Sequence, residues 1–315
     1  MNQQFARDVR EGLRKNPKQL PSKYFYDEVG DQLFVKIMAM PEYYLTRAEM
    51  DIFQNQTDEL IDAFSCEPNK YFEFIELGAG DGTKTREVLK RLTERGFNFD
   101  YLPVDISQHA LDGLKEMLAD YIPSCKVVPQ QGDYFEILSS LKKSNHPKVV
   151  LFLGSNIGNM SDERAADFIY QLGSNLQAGD RLLLGVDLIK SKDIVLPAYN
   201  DPAGITRDFN LNLLHRMNSE LEANFDLSKW SHTPEYEENE GIAKSFLRSD
   251  VDQSVTIGAL DETFDFASGE KIHTEISRKY NDEVISKIIA NTDFKIEHRL
   301  TDSNQLFADY ILKRL

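Results

Sequence analysis

Between residues 71 and 190 the chain alternates short apolar runs with amphipathic stretches. The apolar runs predict strands at 71–77, 101–106, 126–130, 148–153 and 181–186. The stretches between them, at 84–95, 108–121, 134–141 and 161–172, carry helical periodicity. Residues 148–153 read Lys-Val-Val-Leu-Phe-Leu, a continuous apolar run of the kind a buried central strand needs. Ser161 stands where a helix needs its N-cap, with Glu163 in the first turn. Alternation of this kind predicts an α/β fold with a doubly wound, parallel sheet. The pattern breaks after Asp187. Residues 190–250 are polar and read mostly as helix, 209–225 most clearly. Short alternating strands follow at 254–260, 262–266 and 273–278, with a turn at Ser268-Gly269. A helix at 283–290 and paired strands at 295–300 and 307–312 end the chain. The sheet is therefore expected to be mixed, closing in an antiparallel hairpin.

Two units follow from this organisation. One comprises 54–189 and 280–315 and carries the doubly wound, Rossmann-like sheet. The other combines 1–53 with 190–279 as an α+β substrate-binding cap. It is expected over the ligand crevice at the carboxyl ends of the strands.

The most informative local stretch is Phe-Ile-Glu-Leu-Gly-Ala-Gly-Asp-Gly-Thr-Lys-Thr at 74–85. A strand ends in Glu76, glycines alternate at Gly78, Gly80 and Gly82, and a helical pattern begins. Glycine serves where backbone turns sharply or approaches a ligand closely, and a helix N-terminus offers unpaired N–H groups. The G-x-G-x-G spacing departs from the dinucleotide fingerprint, and no Gly-Lys-Ser/Thr ending marks a P-loop. It resembles the first motif of S-adenosylmethionine-dependent methyltransferases. Asp105 ends the second strand in Pro-Val-Asp-Ile-Ser, where a carboxylate can accept both ribose hydroxyls. Asp133 follows the third strand in Gly-Asp-Tyr, where it can accept from an adenine amino group. Residues 155–159 follow the fourth strand, where substrate and methyl donor should meet. Any one of these acidic residues alone is more often a helix cap or a solvated loop residue. Four such positions at successive strand ends favour the cofactor reading.

Composition narrows the partners. The chain has 315 residues, 36 basic against 52 acidic, for a formal charge of −16. Such acidity disfavours nucleic-acid binding, which depends on neutralising phosphates. Cys66 and Cys125 lack metal or disulfide spacing and suggest reduced thiols. No N-terminal apolar core marks a secretory signal, and no run approaches the ~20 residues a membrane span needs. A soluble, cytoplasmic protein is expected, a monomer with no partner protein, no membrane and no metal. The six histidines show no ligand spacing. His273 and Glu275 lie two apart, so in a regular strand they share a face.

The resemblance then extends along the chain. Lys-Tyr-Phe-Tyr-Asp (23–27), Pro-Glu-Tyr-Tyr-Leu-Thr-Arg (41–47), the glycine motif, Pro-Val-Asp-Ile-Ser (103–107) and Phe-Leu-Gly-Ser-Asn-Ile-Gly-Asn (152–159) occur in order. Leu-Leu-Gly-Val-Asp-Leu (183–188), Ala-Tyr-Asn-Asp-Pro-Ala-Gly-Ile-Thr (198–206), Phe-Asn-Leu-Asn (209–212) and Thr-Glu-Ile-Ser-Arg-Lys-Tyr (274–280) continue the series. Together they resemble the histidine-specific Nα-methyltransferase family of ergothioneine biosynthesis, which makes the betaine hercynine. The resemblance implies that Tyr26, Gly78, Lys84, Asp105 and Asp133 hold S-adenosylmethionine, with Glu76, Gly80 and Gly82 completing the turn. It implies that Tyr43, Asn159 and Tyr199 hold the α-amino and carboxylate groups of the amino acid, and that Glu275 and Ser277 meet the imidazole. Tyr26 and Tyr43 are the expected catalytic residues, orienting the amine and passing protons to water. On their residue types alone, both tyrosines could be core aromatics and Glu275 a cross-strand surface carboxylate. One position departs from the family pattern: Ser245 stands where a methionine packs on the substrate. Two consequences stay open. Either a water fills the space and histidine is kept, or the protein methylates another free amino acid, such as tryptophan or tyrosine, or a small amine. A non-catalytic S-adenosylmethionine-binding module is the remaining alternative, and the complete set of substrate positions argues against it.

Overall fold

The computed structural model describes residues 3–315. Helices α1 (Gln3–Leu13), α2 (Glu28–Ala39), α3 (Leu45–Asn55) and α4 (Thr57–Ala63) come first. The alternating region follows as β1 (Phe72–Leu77), α5 (Thr85–Glu94), β2 (Phe99–Asp105), α6 (Gln108–Tyr121), β3 (Gln130–Gln131) and α7 (Tyr134–Leu141). It continues with β4 (Lys148–Phe152), α8 (Asp162–Ser174) and β5 (Arg181–Asp187). Next come α9 (Lys192–Tyr199), α10 (Ile205–Glu220) and the strands β6 (Trp230–His232), β7 (Glu235–Glu237) and β8 (Ile242–Ser249). The hairpin β9 (Gln253–Ile257) and β10 (Glu262–Phe266) precedes β11 (Lys271–Arg278), α11 (Asp282–Ile289), β12 (Phe294–Thr301) and β13 (Phe307–Arg314). The chain divides into two compact units, 1–44 with 190–278 and 45–189 with 279–315. The first break falls at Tyr44/Leu45 rather than 53/54, because Ile52 and Phe53 of α3 are buried in the apolar layer of the sheet-bearing unit.

In that unit seven strands form one sheet in the order β12-β13-β5-β4-β1-β2-β3. β1 to β5 are mutually parallel, while β13 runs antiparallel to β5 and β12 antiparallel to β13. The order reverses between β1 and β4, the position where doubly wound sheets open a crevice at their strand ends. Side chains alternate between the two faces as strand geometry demands. Phe72, Phe74, Val149 and Leu151 belong to one apolar layer with α3, α4, α5 and α6. Ile75, Leu77, Val150 and Phe152 belong to the other with α8 and α11. The third strand is shorter and later than its apolar run suggests: Val127 makes only an isolated bridge to Tyr101.

The other unit has a sheet in the order β11-β8-β6, with β7 also on β8, and the separate β9–β10 hairpin. Its core joins Phe5, Val9 and Leu13 of α1, spaced for one helical face, to Phe209, Leu213 and Met217 of α10 and to Trp230, Leu247 and Ile272 of the sheet. Asp201 accepts the N–H groups of Ile205 (2.9 Å) and Thr206 (2.8 Å), fixing the start of α10 four residues earlier than periodicity suggests. The helix ends at Glu220, not near 225, and Glu222 takes a positive φ of 52°. The end of the stretch expected mostly as helix is instead strand, with β6, β7 and β8 between 230 and 249. Along β8 buried and half-buried residues alternate, but three of the buried ones are Ala243, Ser245 and Ser249, so the apolar signal of a strand is weak.

Among the described residues no helix is long and apolar enough to cross a membrane. Lys279 and Asp187 form an ion pair at 2.8 Å with neither side chain exposed. Removing one member of such a pair leaves a buried charge without its counter-ion. Lys279→Met should cost about 3–5 kcal/mol, measured as a lower urea midpoint. Adding Asp187→Leu should recover part of that loss.

Candidate active site

In the sheet-bearing unit, β1 is buried along its whole length, and Glu76 near its end is 4% exposed. The Glu76 carboxylate accepts from Thr85 Oγ1 at 2.7 Å and from the Tyr101 hydroxyl. It ties β1 to the start of α5 and to β2, across the glycine turn. Burial pushes its carboxyl up to about 7, against the hydrogen bonds from Tyr101 and Thr85 and the charge of Lys84. Both Glu76 oxygens take protein hydroxyls, so its visible part is to fix the turn. Gly78, Gly80 and Gly82 all have positive φ, at 70°, 55° and 63°. A Cβ at Gly78 would lie 2.7 Å from the Tyr134 hydroxyl, whereas at Gly80 nothing comes within 4 Å. At Gly82 a Cβ would lie 2.2 Å from Leu114 Cδ1, so both ends of the turn are crowded and only its middle, at the exposed Gly80, is open.

Lys84 ends this loop at the N-cap of α5. Its ammonium pairs with Glu49 of α3, whose side chain is 1% exposed. Desolvation works against the Lys84 charge, but Glu49 outweighs it and raises the ammonium pKa. Glu49 also accepts the Gly154 N–H at 2.9 and 3.1 Å, in the loop after β4. Asp309 of β13 lies in the same buried cluster. Burial first, then the Glu49 charge, holds its carboxyl well above the usual range. Room for both carboxylates comes from Gly185 of β5, where a Cβ would fall 2.2 Å from Glu49 Oε1 and 3.0 Å from Asp309 Oδ1. Nothing in the helical pattern around Glu49 distinguishes it from a surface carboxylate.

Asp105 ends β2 and accepts the Ser107 N–H at 2.9 Å. Asp133 is the N-cap of α7, accepting from Phe135 N at 2.9 Å. Tyr134 joins these positions, because its hydroxyl sits at Gly78. Burial lifts its phenol to about 12, with the charges of Asp105 and Asp133 adding to the effect. Sequence reasoning passed over Tyr134, although it directly follows the Gly-Asp pair. Asn159 is exposed and closes a 3₁₀ turn, Asn156–Asn159, after β4. Ser155 before it is buried with a positive φ of 58°.

The remaining candidates lie in the other unit. Tyr26 follows the 3₁₀ turn Ser22–Phe25 and meets Phe34 and Phe209 edge-on, at centroid distances of 5.5 and 5.7 Å. Tyr43 meets the same Phe34 ring at 6.4 Å. Desolvation raises the Tyr26 phenol pKa strongly, and Glu275, Asp31 and Tyr199 raise it further. With 41% of the residue exposed, that desolvation is only partial. The phenol stays protonated. The Tyr199 hydroxyl donates to Ser277 Oγ at 2.7 Å, both residues being buried. Ser245 is 1% exposed and its Oγ lies 3.5 Å from Glu275 Oε2. Tyr199, Ser245, Glu275 and Ser277 therefore form one polar group, with Tyr26 within reach of its electrostatics. His273 does not share the face of Glu275. The register of β11 on β8 shifts between them, and the His273 ring instead bonds the Glu275 backbone carbonyl at 2.9 Å. Among the described residues no group of His, Cys, Asp and Glu side chains could hold a metal ion.

A family model described as histidine-specific methyltransferase, SAM-dependent, matches residues 5–314. The chain is 37% identical over 286 residues to a Mycobacterium tuberculosis protein named histidine N-alpha-methyltransferase, covering 91% of this chain and 87% of that one. A protein of the same name from Mycolicibacterium smegmatis is 36% identical over 298 residues, covering 95% and 91%. Ergothioneine biosynthesis protein 1 of Schizosaccharomyces pombe is 30% identical over 304 residues, which span 94% of this chain and 39% of that longer protein.

Glu76 generates a prediction about stability. Its carboxyl has a higher pKa folded (about 7) than unfolded (4.5), so the folded state gains from the bound proton. That contribution is fully present below about pH 4.5 and is lost as pH rises through about 7. Glu76→Gln should flatten this slope, seen as a smaller fall in Tm across the same pH range.

Proposed function

The chain belongs to the family of histidine-specific, S-adenosylmethionine-dependent methyltransferases, and on that footing we propose that it trimethylates the α-amino group of free L-histidine. The product is the betaine hercynine, and the reaction a step of ergothioneine biosynthesis. The observation that carries this reading is the polar group of Glu275, Ser245 and Ser277 on one face of the β8–β11 pair, with the Tyr199 hydroxyl bonded to Ser277. A carboxylate and hydroxyls suit a ring with two nitrogens, one donating and one accepting. Such a site rejects apolar side chains strongly, because its own polar groups would be left unpaired. We place the protein in the cytoplasm as a monomer acting on a small free substrate. Its two free thiols, both pushed up to about 11 by burial, suit a reducing compartment.

The residues present fit S-adenosylmethionine. The left-handed turn with its open side at Gly80 can approach a ligand closely, and Asp105 and Asp133 offer acceptors to a ribose diol and an adenine amine. Lys84, held by Glu49, can face a carboxylate. When bound, this cosubstrate supplies an electrophilic methyl group for in-line transfer to the neutral amine. The protein's part is positioning and exclusion of water. Tyr43, Asn159 and Tyr199 would hold the α-amino and carboxylate groups. Tyr26 stays a protonated phenol beside the Glu275 charge, so it orients the amine and relays protons rather than acting as a phenolate base.

Ser245 favours a second reading, methylation of another amino acid, because this buried side chain is smaller than the methionine that the family resemblance implies at its place. Mass spectrometry separates the two after incubation with S-adenosylmethionine and all twenty free amino acids. Histidine alone should gain three methyl increments, and modification of a different amino acid would overturn the assignment. Tyr26→Phe should slow methyl transfer to histidine about tenfold or more. Unchanged rates for all three transfers would refute its catalytic role.

A further inference from the structure

Pairing across β8 and β11 locates the origin of the polar group. Ile272 pairs with Leu247 and His273 with Phe246, but the next partner of Ser245 is Glu275 rather than Thr274. Thr274 is an inserted residue, a β-bulge. Directly paired residues on adjacent strands project to the same face, and a slip of one residue reverses every side chain beyond it. Without the bulge, Glu275 and Ser277 would share the face of His273, Phe246 and Lys244. With it, they share the face of Ser245, Ala243 and Leu247. On that face the Tyr199 hydroxyl reaches Ser277.

The bulge is held from both sides. The buried Thr274 hydroxyl points its single proton between the Ser245 carbonyl, at 3.0 Å, and Asn210 Oδ1, at 3.2 Å. Asn210 of α10 is itself fully buried, and its Nδ2 donates to the Thr206 carbonyl at 3.0 Å. That bond turns the amide so that its oxygen faces Thr274. On the other side His273 Nε2 donates to the Glu275 carbonyl, spanning the inserted residue. His273 also pairs with the segment before the first 3₁₀ turn: its N–H reaches the Lys18 carbonyl at 3.0 Å, and Leu20 N reaches its own carbonyl at 2.8 Å. The strand is therefore gripped on both edges next to the insertion. Bulges re-aim side chains beside functional sites.

We infer that Thr274 and Asn210 are positioning residues for amino-acid selectivity, locking a bulge that turns Glu275 and Ser277 onto the substrate-facing side of the sheet. The inference rests on the reading of Glu275 and Ser277 as the side-chain recognition pair. Thr274→Val keeps the shape and removes the hydroxyl. It should raise KM for histidine about tenfold, change kcat much less and leave the Kd for S-adenosylmethionine unaltered. Thr274→Ser keeps the hydroxyl and should behave as wild type. Because Thr274 acts through Glu275, the losses from Thr274→Val and Glu275→Gln should be less than additive in a double-mutant cycle. If the valine variant does not fold, Thr274→Ala carries the same expectation. A histidine KM within about twofold of wild type, or losses that simply add, would overturn the inference. A wild-type protein that methylates a different amino acid would defeat the histidine reading instead, and the same cycle run with that amino acid would then test the bulge.

Discussion

One buried carboxylate holds the two loops that flank the reversal of strand order. Glu49 pairs with Lys84 from the loop after β1 and accepts the N–H of Gly154 from the loop after β4. Burying a lone carboxylate is expensive, so the site works only with an ammonium and a backbone donor aimed at it. The cost shapes its surroundings. Position 185 must be glycine, because any Cβ would strike Glu49. The neighbouring Asp309 carboxyl is driven toward its protonated form, first by its burial and then by the Glu49 charge, which the single lysine only partly offsets. Residues of α3, β5, β13 and both loops are therefore interlocked around one charge.

The other unit uses a different device for a comparable end. Its core is apolar, and a polar group inside it needs a reason to face inward. A one-residue insertion in β11 supplies that reason by moving Glu275 and Ser277 to the face of Ser245. Glu275 is then only half-buried, with its carboxylate 3.5 Å from the Ser245 hydroxyl. Its charge also helps keep the Tyr26 phenol protonated. Glu275 and Tyr26 are thus coupled through electrostatics within one unit.

The alternating half of the fold was legible because each of its signals is local. Apolar runs gave the parallel strands, Ser161 accepts the Arg164 N–H as an N-cap should, and the spaced glycines marked a turn that does take positive φ. The terminal hairpin was legible for the same reason. The strands of 230–249 were not, because small and polar residues occupy inward positions of β8 and hide the period of two. Of the candidate residues, those brought together within one unit came from motifs scattered over 250 positions, from Tyr26 to Ser277, and only family resemblance linked them in sequence. Glu49 went unnoticed, and Tyr134 and Asn210 stood in motifs without being given a role, because what each does depends on partners elsewhere in the chain. The bulge at Thr274 could not be read at all, since strand alternation continues past it in the sequence and is reversed only by pairing with β8.

The role given to Glu49 is tested most directly by calorimetric binding of S-adenosylmethionine to Glu49→Leu, with circular dichroism to verify the fold. Loss of the carboxylate releases Lys84 and the Gly154 N–H together, so the Kd should rise at least about tenfold while the fold is retained. A folded variant that binds S-adenosylmethionine as tightly as the wild type would contradict the claim that this carboxylate organises the two loops proposed to hold the cofactor.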